Sequence, residues 1–179
     1  MVYQNLAKIN LAVANNTLAK EQVLVDAFTY AKANNKKVHF LGLVSDGGVH
    51  SHTSHLRGLI NATQQHGLQK VFVHAFTDGR DVDPKSGKQY IQDLQNYIAN
   101  TTVKLASVVG RYYAMDRDRR WERVKLAYDL LVNGIGTHST NAVASIEESY
   151  KINVTDEFIH PTVIIDEHDK PLATIEEDD

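Results

Sequence analysis

The sequence predicts an α/β domain with a mainly parallel sheet, crossover helices on both faces and a C-terminal β-hairpin. Three short runs rich in β-branched and aromatic residues predict strands over 37–44, 70–76 and 102–109. A helix-like stretch follows each run, and this alternation is typical of parallel strands joined by crossover helices. Ligands bind at the carboxyl ends of such strands, so the loops after the three runs are the expected functional region.

The helices are predicted from apolar residues that recur at helical spacing. The clearest one covers 21–34, and its predicted inner face consists of Val23, Leu24, Ala27, Phe28 and Ala31. Others are predicted over 5–14, 53–66, 89–99, 121–132 and 141–151. Ser51 or Thr53 can cap the helix over 53–66, and Gly67 is typical of its C-terminal end.

The last part of the chain predicts the hairpin, because the strand-like runs 162–165 and 172–175 flank a turn with Asp169 and Pro171. Both ends read as cuts through a longer protein. No strand precedes the first helix, and the acidic run 176–179 directly follows a strand-like run. We therefore expect a connector over 1–20, the α/β domain over 21–160, and the hairpin with a return connector over 161–179.

Composition excludes several classes of protein. The 179 residues include no cysteine, so a disulfide framework and thiol chemistry are excluded. No run reaches the roughly 20 apolar residues that span a bilayer. The amino terminus lacks the layout of a signal peptide, so we expect a cytoplasmic protein without a membrane partner. The net charge of −3 argues against general nucleic-acid binding, yet five of the seven arginines lie within 111–123. This local positive focus favours a small anionic ligand.

The loop after the first predicted strand reads Ser45-Asp46-Gly47-Gly48-Val49-His50. Its paired glycines allow a sharp turn and the close approach of a ligand. Free N–H groups at the start of the next helix favour an anion, to which His50 can donate a hydrogen bond. The alternative is a plain strand-to-helix turn. A metal site formed by His50, His52 and His55 is a further possibility, but the spacing places these residues on different aspects of the helix start, so we expect no metal in this chain.

The loop after the second predicted strand contains Asp78-Gly79-Arg80-Asp81. Arg80 can hold a carboxylate or phosphate through two parallel hydrogen bonds. Asp81 can accept a hydroxyl hydrogen or serve as an acid or base. Asp78 can instead bind the loop backbone in an Asx-turn. A turn alone would explain the Asp-Gly pair but not the adjacent Arg-Asp pair at a strand end.

The arginine-rich run begins at Arg111, directly after the third predicted strand. One interpretation is a solvated helix start whose cations pair with Asp116 and Asp118. Cations at a helix N-terminus oppose the helix dipole, however, and this unfavourable arrangement points to a functional role. We therefore predict that Arg111 and Arg117 hold the ligand. A structural or supporting role is expected for the remaining arginines of the run, which are Arg119, Arg120 and Arg123.

Together the three motifs resemble the cofactor-independent (2,3-bisphosphoglycerate-independent) phosphoglycerate mutases. Each motif alone is weak, but their order and spacing over nearly the whole chain make the set specific. The resemblance implies the inserted substrate-binding domain of a two-domain isomerase. It also implies that Val2-Tyr3-Gln4-Asn5-Leu6 is the connector from a phosphatase-like domain and that the acidic end is the return to it.

The resemblance implies a reaction and its ligands. The family interconverts 3-phosphoglycerate and 2-phosphoglycerate in glycolysis through a phosphoserine, with two manganese ions in the phosphatase-like domain. Its substrate-binding positions fall on His50, Arg80, Asp81, Arg111 and Arg117. The arginines would hold the carboxylate and the phosphate, a task that suits planar two-donor groups. His50 and Asp81 would orient the hydroxyls, with Asp81 as the candidate acid or base.

Several parts of the family's machinery have no match in these 179 residues. They are the phosphorylated serine, the manganese ligands and an arginine-containing motif beyond the acidic end. We therefore expect the chain alone to be inactive. Two other interpretations are a stand-alone α/β anion-binding or regulatory module, and an RNA-binding module that uses Tyr112, Tyr113 and Trp121. The negative net charge speaks against RNA.

Overall fold

Five strands form one sheet in the order β1-β2-β3-β5-β4, as seen in a computed structural model that describes residues 5–179. The first three strands are β1 (Val38–Leu43), β2 (Val71–Thr77) and β3 (Val103–Gly110), and they are mutually parallel. Their carboxyl ends therefore meet at one edge of the sheet, as the sequence predicts. This edge is called the rim below.

Seven helices accompany the sheet in the described residues. They are α1 (Asn5–Ala14), α2 (Gln22–Ala33), α3 (Thr53–Gln65), α4 (Gly87–Ile98), α5 (Arg111–Ala114), α6 (Trp121–Tyr128) and α7 (Ala142–Lys151). A π-helical segment, Asp129–Asn133, extends α6, and 3₁₀ turns occupy Leu18–Lys20 and Asp156–Phe158. Within this described part, no helix combines the length and apolar character that crossing a bilayer requires.

Helices cover both faces of the sheet, as predicted, but the two crossover helices lie on the same face. Ile60 of α3 and Ile91 of α4 pack with Val71 and Val73 of β2 in the larger core cluster. This cluster also takes in α7 through Ile146. The opposite face carries a smaller cluster, in which residues of α6 and the π-helical segment contact the ends of the strands; its buried members include Leu43, Phe76, Val109, Ala127 and Leu130.

A bulge in β3 changes which face its later residues occupy. Val73 pairs with Leu105, but His74 pairs with Ser107, so Ala106 is an extra residue in β3. Side chains alternate between faces along a strand, and one added residue reverses the alternation beyond it. Ser107 is consequently on the same face as His74, and the His74 Nδ1 atom lies 2.8 Å from the Ser107 hydroxyl oxygen.

The C-terminal part forms the predicted reversal of the chain in a shorter form. β5 (Thr162–Ile164) pairs antiparallel with β3 and parallel with β4 (Thr137–Ser139), a short strand that the sequence pattern does not predict. The turn closes with one antiparallel bridge between Ile165 and Pro171. Beyond Leu172, whose N–H donates to the Ile164 carbonyl, the second arm leaves the ladder.

Several local predictions are wrong. Val23 is 81% exposed and Ala27 is also exposed, so the buried face of α2 consists of Phe28 and Ala31. The cap of α3 is His52, whose Nδ1 atom accepts from the Ser54 N–H, and neither Ser51 nor Thr53 fills that position. Of the predicted connector over 1–20, residues 1–4 lie outside the described residues.

Candidate functional site

The rim is built around the carboxylate of Asp78, which is 2% exposed at the end of β2. It accepts a hydrogen bond from the Ser45 hydroxyl at 2.6 Å, and this contact ties the loop after β1 to the loop after β2. It also accepts from the N–H groups of Arg80 and Asp81, at 3.2 and 3.0 Å. Asp78 thus makes the predicted Asx-turn and in addition joins two of the rim loops.

Arg111 connects the third loop to this centre. One guanidinium nitrogen lies 2.7 Å from a carboxylate oxygen of Asp78 and 2.7 Å from one of Asp81. Burial raises the pKa of Asp78, but the bonds from Ser45, the backbone N–H groups and Arg111 outweigh burial and lower it. Burial lowers the pKa of Arg111, but Asp81 and Asp78 outweigh that effect and raise it. Asp78, Asp81 and Arg111 therefore form a charged, rigid layer of side chains beneath the rim, which is called the base of the rim below.

The sequence predicts a loop at Arg111, whereas the structure has a helical turn there. Gly110 precedes α5, and its N–H donates to the Ile159 carbonyl at 2.7 Å. A Cβ on Gly110 would come within 2.3 Å of the Glu157 carbonyl oxygen, so only glycine permits this approach. The same close packing brings the 3₁₀ turn around Glu157 to the rim.

All five predicted site residues line one open hollow above this base, with a volume of about 590 Å³. They are His50, Arg80, Asp81, Arg111 and Arg117. The volume is in the usual range for a small-molecule site. The hollow is thus formed by loops from three strands that are separated in sequence, which is the arrangement expected at the carboxyl ends of a parallel sheet.

The predicted ligand-binding side chains differ in how far their polar ends already contact other residues of the protein. The side chains of His50 and Arg80 are 49% and 54% exposed, and each has a carboxylate partner only at long distance. The His50 Nε2 atom lies 3.9 Å from Asp81, and Arg80 lies 3.6 Å from Glu157. Arg117 is exposed and makes no ion pair with any residue in 5–179. These side chains are therefore available to an added anion.

A supporting set holds the loop that carries Arg117. The Asp116 side chain, 1% exposed, accepts from the N–H groups of Asp118 and Arg120 and pairs with Arg123 at 3.3 Å. The Arg123 guanidinium also stacks on the Tyr112 ring, with its carbon 3.9 Å from the ring centre. Arg123 thus makes contacts that hold this loop, and it lines the hollow as well; its supporting role towards the ligand stays a prediction.

Glu157 is a lining residue that the sequence analysis misses. It lies 46 positions after Arg111 in a short 3₁₀ turn, where no motif marks it. The turn is anchored by Asp156, whose carboxylate accepts from the Gly87 N–H at 2.7 Å and whose carbonyl accepts from the Thr77 hydroxyl at 2.6 Å. The sequence signal is indirect, since Gly79 and Gly110 are the glycines that make room for the backbone of Glu157.

The three histidines of the first motif separate in the structure. His50 lines the hollow, whereas His52 caps α3 and the His55 Nε2 atom lies 2.5 Å from the Asn10 side-chain oxygen. Burial, followed by the nearby His52, lowers the pKa of His55. Across residues 5–179, no group of three or more His, Asp or Glu side chains is arranged to hold a metal ion.

Comparisons with known proteins match the motifs. A family model described as the BPG-independent PGAM N-terminus matches residues 9–179. The 2,3-bisphosphoglycerate-independent phosphoglycerate mutases of Flavobacterium johnsoniae and Flavobacterium psychrophilum are 78% and 67% identical over all 179 residues. A crystal structure of Leishmania mexicana phosphoglycerate mutase, obtained at low cobalt concentration, matches 97% of this chain with a TM-score of 0.90 and 29% identity.

The chain spans 35% of the length of each bacterial relative and 33% of the Leishmania chain. These relatives therefore contain a further part about twice as long as the matched region. The match over residues 9–179 and the high identities show that this chain belongs to the 2,3-bisphosphoglycerate-independent phosphoglycerate mutases, as the N-terminal domain of that family.

Proposed function

We propose that this domain binds 2- or 3-phosphoglycerate in the rim hollow, as the substrate-holding part of a phosphoglycerate mutase. The observation that carries the proposal is the convergence of His50, Arg80, Asp81, Arg111 and Arg117 on one hollow. A phosphoglycerate has two anionic groups and a hydroxyl, and it needs several donors together with at least one acceptor.

The charge of the hollow supports a small ligand of this mixed kind. Four arginines and four carboxylates line it, so it does not present a strong positive field to a polyanion. Its selectivity would come from individual groups at fixed positions. The exposed guanidinium groups of Arg80 and Arg117 suit the phosphate and the carboxylate. Asp81 and Glu157 can accept a bond from a hydroxyl.

The proposed reaction needs the part of the enzyme that lies outside this chain. There the phosphoryl group would pass to a serine near two manganese ions and return to the other hydroxyl of the glycerate. The residues of this chain would hold the glycerate during both steps and reorient it between them. His50 and Asp81 lie near each other at the hollow and would orient the hydroxyl, with Asp81 as candidate proton acceptor.

Calorimetric titration with 3-phosphoglycerate tests the proposal through Arg117→Ala. Loss of a hydrogen-bonded ion contact costs roughly 1.5–3 kcal/mol, so we expect affinity to fall about 10- to 100-fold. Arg120→Ala is the matched control, because Arg120 is exposed in the same run but does not line the hollow. Arg111 is less suitable, since its loss would also unpair Asp78 and Asp81.

Equal affinities of the Arg117→Ala and Arg120→Ala variants would contradict the proposed ligand position. The same samples test whether catalysis requires the part of the enzyme that lies outside this chain. We expect the 179-residue chain to show no interconversion of the two phosphoglycerates, and measurable turnover by the purified chain would refute that part of the proposal.

A further inference from the structure

The carboxylates that line the rim hollow differ in what they already bind. Asp81 lies 2.7 Å from Arg111, and Asp116 accepts from two backbone N–H groups. The Glu157 side chain makes no hydrogen bond within residues 5–179, and its ion-pair partner there is Arg80, with 3.6 Å between the Arg80 Nη1 and Glu157 Oε1 atoms. A free carboxylate in a hollow for an anion repels the ligand, so its presence needs a physical reason.

The backbone of Glu157 is fixed at the rim by close packing on both sides. A Cβ on Gly79 would lie 2.8 Å from the Glu157 nitrogen, and one on Gly110 would lie 2.3 Å from its carbonyl oxygen. The preceding residue, Asp156, is fully buried, and its carboxylate accepts from the Gly87 N–H at 2.7 Å. The Glu157 side chain is 21% exposed, so both its starting point and its range of positions are limited.

Arg80 has the opposite character, because its side chain is 54% exposed. A long, exposed side chain samples many rotamers, and ordering it on binding costs conformational entropy. Attraction to the carboxylate of Glu157 narrows the range of orientations before a ligand arrives. A separation of 3.6 Å is longer than a hydrogen bond, so the ion pair uses none of the guanidinium N–H donors.

The three predicted arginines of the hollow form a graded series in this respect. Arg111 lies 2.7 Å from each of two carboxylates and belongs to the base of the rim. Arg117 makes no ion pair with any residue in 5–179, so the ligand alone would order it. Arg80 lies between these cases, since it has a direction but keeps its donors. Such a pre-organised group binds an anion at a smaller entropic cost.

We propose that Glu157 is a positioning residue that holds the Arg80 guanidinium over the hollow for one anionic group of the phosphoglycerate. It acts through Arg80 and makes no contact with that anionic group, which it would repel. The lower cost of ordering Arg80 offsets this repulsion. The inference rests on the proposed function, because it requires an anionic ligand that Arg80 binds.

A double-mutant cycle of Glu157→Ala and Arg80→Ala tests the proposal, by calorimetric titration of the full-length enzyme with 3-phosphoglycerate. Arg80→Ala should lower the affinity about 10- to 100-fold, as expected for a lost hydrogen-bonded ion contact. Glu157→Ala should lower it about three- to tenfold while Arg80 is present. In the Arg80→Ala background the same substitution should cause no loss, because the guanidinium that Glu157 positions is absent.

Asp118→Ala is the control for charge, because Asp118 also lines the hollow but belongs to a different loop and is exposed. It removes the same negative charge, so the affinity should not fall.

Two outcomes would overturn this inference while the ligand keeps its place. They are equal losses from Glu157→Ala in both backgrounds, which indicate a merely structural role, and a gain in affinity from Glu157→Ala while Arg80 is present. A third outcome, an Arg80→Ala variant that binds as tightly as the parent, would show that the ligand does not contact Arg80. The proposed ligand position would then fall together with this inference.

Discussion

The sheet carries two polar clusters that resemble each other in composition but differ in what they leave unpaired. The rim cluster consists of Ser45, Asp78, Asp81 and Arg111. The histidine cluster consists of His39, His74, Ser107 and Asp179 and lies on the face of the sheet. Both join neighbouring strands through side-chain hydrogen bonds, yet within residues 5–179 only the rim cluster borders a hollow that exposed arginines line.

The histidine cluster is closed on itself. His74, 1% exposed, lies between Ser107 and His39, whose Nδ1 atom is 2.9 Å from the His74 Nε2 atom. Asp179 completes the series at 3.4 Å from His39 and pairs with Lys37 at 3.2 Å. Every polar end therefore has an internal partner. A functional site is therefore marked less by polar residues as such than by donor side chains that remain exposed, here above side chains whose hydrogen bonds are satisfied within the protein.

The largest effect is expected from removing the base of the rim with Asp78→Ala. Arg111 would lose one of its two carboxylates, and Ser45 and two backbone N–H groups would lose their acceptor. Breaking a buried ion pair from one side costs about 3–5 kcal/mol, and we expect this loss in the free energy of unfolding, measured with urea.

Asp118→Ala is the control for that substitution, because Asp118 borders the same hollow but is exposed. Its effect on stability should stay within about 0.5 kcal/mol, as for ordinary surface positions. Equal stabilities of the two variants would mean that Asp78 does not support the rim.

The second-largest effect is expected from lowering the pH, which should destabilise the fold through the histidine cluster. Burial, followed by the nearby His39, lowers the pKa of His74 to about 3. In the unfolded chain this histidine titrates at about 6.5, so between these values the unfolded state binds the extra proton. Stability is then fully present above about pH 6.5 and falls as the pH is lowered, with the unfolding constant rising about tenfold per pH unit.

Urea unfolding at pH 6.5, 6 and 5 checks this slope in the parent and in His74→Asn. In the variant, the number of protons taken up on unfolding, given by the slope of the unfolding free energy against pH, should be smaller by about one over this range. His168→Asn, which replaces an exposed histidine, should keep the slope of the parent. An unchanged slope in His74→Asn would show that other groups carry the acid sensitivity.

The smallest effect is expected from Arg123→Ala, which sharpens the distinction between holding the ligand and holding the loop. Arg123 is already engaged by Asp116 and by the Tyr112 ring, so it would act mainly by keeping Arg117 in place. We expect a loss of phosphoglycerate affinity of about three- to tenfold, equivalent to a net hydrogen bond of roughly 1 kcal/mol. A loss as large as that of Arg117→Ala would make Arg123 a direct ligand.

Sequence patterns predict the parts of this fold that depend on local periodicity. The three parallel strands and the helices after them follow from apolar spacing, and the rule for strand ends then brings His50, Arg80 and Arg111 to one side. β4 is missed because it has only three residues and no apolar alternation. Glu157 is missed because its place at the rim depends on packing against Gly79 and Gly110.

Val23 shows a different limit. Its helical spacing is correct, yet nothing in the chain described here covers that side of α2, and the side chain is 81% exposed. Periodicity identifies which residues share a face, but the partner of that face is a tertiary property. For the same reason, the sequence predicts only the general roles of Asp116 and Arg123, which are to pair with a cation and to support the site, and not the particular contacts that they make.

The extra residue at Ala106 determines which face of the sheet each later residue of β3 occupies. Deleting it would leave a regular ladder in which Ser107 still pairs with His74, so Val108 and Val109 would keep their faces, whereas deleting a paired residue such as Ser107 with the bulge kept would exchange the two faces for Val108 and Val109. A change of length in β3 is therefore expected to be tolerated at Ala106 and to be disruptive at the paired positions that follow it, because only the latter would turn the residues before Arg111 to the other face.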